Sequence, residues 1–136
     1  MKQALIDSNI LSYFFNSHTQ VVENVDKYTD VFNKLNISIL TYYEILSGLK
    51  HRDARRQLSV FQSFVEENNV IHLTVQAIEI AADIYAETRR SGTPVDDIDI
   101  LIASTAIENG WALVTHNRKH FEKITGLEIE DWAEEL

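Results

Sequence analysis

The chain has 136 residues with 45% hydrophobic content, enough for one domain that hides about two-thirds of its unfolded surface without covalent staples. It has no cysteine, which excludes disulfides, thiolate zinc sites and Cys nucleophiles, and 12 basic against 21 acidic residues give a net charge of −9. Such a balance argues against a generic phosphate-binding surface and leaves room for clustered acids whose local sign a bound divalent cation reverses. The N-terminal apolar stretch meets a carboxylate at Asp7, too early for a signal-peptide core, and no later stretch is long enough to span a bilayer, so the expectation is a cytoplasmic protein.

In chain order, Ala4 to Ile6 reads as a strand, followed by a helix from Asn9 to Phe15 that Asp7 or Ser8 can cap. Val21, Val25, Tyr28 and Phe32 step by four, three and four, the spacing of a one-sided helix. A second strand, Ile37 to Leu40, precedes Thr41-Tyr42-Tyr43-Glu44, which matches a capping box with Leu40 and Ile45 as its hydrophobic staple. Gly48 is placed at the end of that helix. Leu58, Phe61 and Val65 give another amphipathic helix, Val70 to Leu73 a third strand, and Val75, Ile78, Ala82 and Tyr85 the apolar face of the next helix, closed by Gly92. Ile98 to Ile107 is apolar nearly all round and is placed as a central buried helix, ended by Gly110 and capped by Thr93 or Asp96. Ala112 to Thr115 and, weakly, Leu127 to Ile129 complete the strands. The alternation predicts a single domain over 1–136, a three-layer α/β/α fold around a mostly parallel sheet of four to five strands.

In open parallel sheets the working crevice lies beyond the carboxyl ends of the strands. Asp7 follows the first strand, Glu44 sits early in the helix entered from the second, and Asn117 follows the fourth. Asp96, Asp97 and Asp99 open the helix that feeds the fourth strand, so they reach the same edge if the loop from Ser91 to Val95 climbs back to it. Each acid alone has a local explanation as a cap or as a favourable charge at a helix start. Together they are harder to explain that way. Asp99, between Ile98 and Ile100, needs something positive to meet it, and oxygen donors without Cys suit Mg²⁺ or Mn²⁺. Basic residues cluster at Lys50, His51, Arg52, Arg55 and Arg56, and at Arg118, Lys119 and His120, where they flank the crevice or lie on a solvated face. His116 and His120 lack the third soft ligand of a zinc site.

Asp7-Ser8-Asn9, Thr41 to Gly48, Pro94 to Ala103, and Leu113 to Asn117 with Phe121 resemble, in order and spacing, the PIN-domain ribonucleases, and most of all the VapC toxins of toxin–antitoxin pairs. The resemblance implies a metal-dependent endoribonuclease cutting a specific RNA such as tRNA or rRNA, a homodimer, and a VapB-like antitoxin that covers the acids. It implies a core of Asp7, Glu44 and Asp99, joined by Asp97, with Asn117 at the fourth corner, where members carry Asp, Asn or Ser. On this reading Asp7 and Asp99 hold Mg²⁺, Glu44 and Asp97 act through water, and Asn117 fixes a water or a phosphate oxygen. The competing expectations are a receiver-like domain and a catalytically inactive PIN-type binding domain.

Overall fold

The computed structural model describes residues 1–134. Five short strands form one sheet: β1 (Ala4–Ile6), β2 (Asn36–Ser38), β3 (Asn69–Ile71), β4 (Ala112–Val114) and β5 (Ile129–Glu130). Their order is β3-β2-β1-β4-β5 and every pairing is parallel. The helices are α1 (Ser8–Phe15), α2 (Thr19–Phe32), α3 (Ile39–His51), α4 (Arg55–Glu67), α5 (Val75–Arg90), α6 (Asp97–Asn109) and the single turn α7 (Arg118–Phe121).

Alternation along the strands divides the core in two. Ala4, Ile6, Ala112 and Val114 join a cluster with Ile10, Leu11, Val21, Tyr28 and Phe61, whereas Leu5 and Leu113 point the other way, to Ala81, Ile84, Ile100 and Ala103. The sheet is therefore covered on both faces, the first by helices from the N-terminal half and the second by α5 and α6. The expected α/β/α architecture is present, with the sheet wholly parallel. The chain lays down β1, β2 and β3 in one direction and then crosses to place β4 on the other side of β1. The strand order thus reverses between β1 and β4, where ligand crevices of open sheets form.

Four sequence expectations need correction. The second strand ends at Ser38, and Ile39 and Leu40 are already helical. The reason is the cap: Ser38 Oγ accepts from the Thr41 backbone N–H at 3.0 Å, so Ser38 and not Thr41 starts α3. Gly48 lies inside α3 rather than at its end, while Gly92 and Gly110 do have the positive φ of helix-closing residues. On α5 the buried side chains are Ala77, Ala81, Ile84 and Thr88, and Val75, Ile78, Ala82 and Tyr85 are exposed. Both rows have helical spacing; small residues let α5 lie close against α6, so its bulky row faces outward, with Arg89 stacked over the Tyr85 ring at 4.6 Å.

Far from the crevice, the N-terminal end of the sheet holds a buried polar chain. Tyr28 Oη accepts from the Ala4 N–H at 3.1 Å, Asn36 Nδ2 donates to the Ala4 carbonyl at 3.2 Å, and Asn69 Nδ2 donates to Asn36 Oδ1 at 3.0 Å. Every buried side-chain polar atom among the described residues has a partner.

Candidate active site

Asp7 closes β1 and caps α1. It is 5% exposed, with Oδ1 accepting from the Ser8 N–H and Oδ2 from the Thr115 hydroxyl, both at 2.8 Å. Its backbone N–H donates to the Val114 carbonyl at 2.9 Å, which ties the β1 end to the β4 end across the switch point. Thr115 is the hub here, fully buried, and its oxygen also accepts from Asn9 Nδ2 at 3.5 Å and from the Asn117 N–H at 3.1 Å. From the sequence alone Thr115 is simply the last residue of a strand. A hydroxyl at the end of an otherwise apolar strand, beside a candidate corner, was the available signal.

Glu44 is the sixth residue of α3. With Ser38 as the cap it is not the third-position acid of a capping box, so the local explanation for its charge fails. Burial raises its pKa, and the negative charges of Asp7 and then Asp99 raise it further. Asp99, in the first turn of α6, is raised by burial, lowered by His120, and raised by Asp7 and Asp96. Asp7 is raised by burial, against the hydrogen bonds from Thr115 and Ser8. Three carboxylates from three separated segments therefore feel one another at the carboxyl edge of the sheet. Asp96 takes the N-cap position of α6 without a side-chain cap bond, and so does Asn117 for α7. Asp96 lies three residues before Asp99 and lines the same cleft; Asp97, also exposed, does not line it. Asn117 is exposed and lines neither of the depressions beside the acids.

Two depressions adjoin the acids. An open groove of about 640 Å³ between α1, α3 and α4 runs from Ser8 and Glu44 over Phe15, Ile45 and Phe61 to Arg52 and Arg56. Arg55 takes no part in it and pairs with Asp53 at 3.1 Å in solvent. A smaller cleft of about 190 Å³ lies between the start of α6 and α7, with His120 Nδ1 at 3.3 Å from Asp99 Oδ2. Behind the edge, His116 Nδ1 meets the largely buried Asp131 Oδ2 at 2.8 Å and packs edge-on against Tyr13. Asp131 Oδ1 also accepts from the Ala133 N–H.

The donor set fits a hard cation. It consists of carboxylate oxygens whose charges repel one another, Asp7 buried, Asp99 half-buried and Glu44 exposed, with the His120 imidazole beside Asp99. Among the described residues no three acidic or histidine side chains enclose an ion by themselves. Mg²⁺ keeps several waters and takes one or two carboxylates directly, so an open arrangement suits it.

A family profile described as PIN domain matches residues 4–127. The tRNA(fMet)-specific endonuclease VapC of Salmonella typhimurium is 36% identical over 102 residues, 74% of this chain and 77% of that protein. The chain is a PIN-domain protein of the VapC type. The tRNA(fMet)-specific endonuclease VapC of Shigella flexneri is 31% identical to this VapC-type chain, covering 98% of it and 100% of the relative. The crystal structure of DNA-bound VapBC from Salmonella typhimurium superposes with a TM-score of 0.86 at 32% identity, over 97% of this chain and 99% of that one. These matches remove the receiver-like alternative for the VapC-type chain. No helix among its described residues is long and apolar enough to cross a membrane.

Proposed function

We propose that this chain is a single-domain, Mg²⁺-dependent endoribonuclease toxin, with Mn²⁺ as a substitute ion, that hydrolyses phosphodiester bonds in a tRNA or rRNA of the cytoplasm. The observation that carries the proposal is the meeting of Asp7, Glu44 and Asp99 at the switch point, close enough that the charges of Asp7 and Asp99 raise the Glu44 carboxyl. Relatives named as tRNA(fMet)-specific endonucleases support RNA as the substrate, and the VapBC neighbour supports a VapB-like antitoxin as the partner. The working unit is a homodimer.

Asp7 and Asp99 would hold the ion. When bound, Mg²⁺ acidifies a water and offsets the charge that develops on phosphorus during in-line hydrolysis. Glu44, within electrostatic reach of both, orients the attacking water, Asp97 contributes through water from the start of α6, and Asn117 fixes a water or a phosphate oxygen. Thr115 holds Asp7 in one orientation, with the Ser8 N–H on its other oxygen. The products are a 5′-phosphate and a 3′-hydroxyl.

The test is cleavage of total cellular RNA by the purified chain with Mg²⁺ and with EDTA, followed by mapping of 5′ ends. Activity that EDTA abolishes and that Asp7→Asn and Asp99→Asn each lack is expected. Full cleavage by either variant overturns the assignment of the site, and no cleavage by the wild type favours the inactive binding-domain reading.

A further inference from the structure

A chain with a net charge of −9 and three mutually repelling carboxylates at its crevice must still bring a polyanion to that crevice. Positive groups beside the acids have to offset this repulsion. In the smaller cleft Pro94, Asp96 and Asp99 form one wall, and Lys119, His120 and Lys123 form the other. Lys119, within α7, and Lys123, two residues beyond its end, both line this wall. With Asp96 and Asp99 lining the same cleft, the expectation is that long flexible lysines fold onto the acids. Among the described residues only His120 approaches Asp99, and neither lysine has a carboxylate within ion-pair distance.

The cleft's size narrows what it can take. Its volume of about 190 Å³ equals that of roughly six liquid waters, and it falls below the 300 Å³ or so at which small-molecule pockets begin. It has room for a phosphate group with part of its hydration. A lysine ammonium is a compact point charge with three rotatable donors, suited to phosphate oxygens whose orientation changes along a flexible strand. The other basic residues near the acids differ: Arg55 is engaged with Asp53, and Arg52 and Arg56 lie in the separate groove.

We propose that Lys119 and Lys123 form a phosphate subsite that grips the RNA backbone next to the scissile bond and so positions that bond over Asp7 and Asp99. This rests on the endoribonuclease reading above and adds to it a specific backbone contact. The subsite gives affinity without base specificity, since phosphate contacts carry no sequence information.

The experiment uses the full chain, the double variant Lys119→Ala/Lys123→Ala and the double variant Lys119→Arg/Lys123→Arg, with equal circular dichroism and melting temperature required of each. Binding of a short fluorescein-labelled single-stranded RNA of mixed sequence is followed by anisotropy across a salt series, and Mn²⁺ affinity is measured by calorimetry. The alanine pair should bind RNA more weakly at every sequence, with the log–log salt dependence shallower by about one unit per lysine. Mn²⁺ affinity should not fall, since removing two ammonium charges lessens repulsion of the cation, KM for RNA cleavage should rise more than kcat falls, and the arginine pair should restore binding. RNA affinity and salt slope equal to wild type overturn the subsite, as does a loss of Mn²⁺ affinity with RNA binding intact, which shows that the substitutions disturb the acids and remove no phosphate contact. The binding arm is read whether or not the wild type cleaves RNA, so failure of the nuclease reading and failure of the subsite are separate results.

Discussion

The Thr115 hydroxyl donates to Asp7 Oδ2 at 2.8 Å, joining residues 108 apart in sequence at the point where the strand order reverses. One lone pair of a carboxylate proposed to hold the ion is thus assigned, and the side chain is fixed before any cation arrives. Thr115→Val keeps the shape and removes the donor. A fall of about 10- to 100-fold in Mn²⁺ affinity or cleavage is expected, as for other groups that orient a metal ligand. A stability loss of about 1–2 kcal/mol should accompany it, with Thr115→Ser retaining most of both; calorimetric titration and urea melts measure the two.

The acid cluster should make the metal-free fold sensitive to pH. Burial first, then Asp7 and Asp99, raises the Glu44 carboxyl above its unfolded value. The folded chain therefore holds that proton more tightly than the unfolded chain, and stability is lost as pH rises from the ordinary carboxylate range near 4 through the raised folded value. In EDTA, Glu44→Gln should melt at about the same temperature as wild type at low pH and above it at pH 7. Adding Mg²⁺ at pH 7 should raise the wild type more than the variant. A gap that closes with rising pH in scanning fluorimetry contradicts the sign.

Ser38, not Thr41, starts α3. Ser38→Ala should cost about 1 kcal/mol through the lost cap, whereas Glu44→Gln should leave the helix start intact. Denaturant midpoints of the two variants at acidic pH, where Glu44 carries no charge, compare them directly.

Orientation of α5 predicts an asymmetry between two rows with the same helical spacing. Ile84→Ala should destabilise by about 2–4 kcal/mol, because the side chain is 7% exposed, and Val75→Ser, at a residue 72% exposed, should change stability by less than about 0.5 kcal/mol. A larger cost at Val75 in urea melts of the isolated chain contradicts this orientation.

Much of the fold was legible because its signals are local. Ala4 to Ile6 and Ala112 to Val114 are short apolar runs that read as buried strands, and Val21, Val25 and Tyr28 show one apolar row with mostly polar residues elsewhere. On α5 two rows compete, and only the tertiary contact with α6 decides between bulky and small side chains. Asp7, Glu44 and Asp99 were legible as candidates from strand ends and helix starts, since parallel topology sends all three to one edge. Thr115 carries no such signal, and spacing groups Asp96 with Asp97 at the start of α6 without choosing between them. Their roles depend on side-chain direction, which spacing alone leaves open.

The link between His116 and Asp131 has a practical bearing on handling the protein. Parallel pairing leaves Met1 at the opposite end of the sheet from the acids, while the segment after β5 emerges beside them and is pinned to the residue following Thr115. A label attached at Glu134 is thereby held near the reactive rim, and one attached at Met1 is carried away from it, so the two labelled proteins are not equivalent reagents for an activity assay.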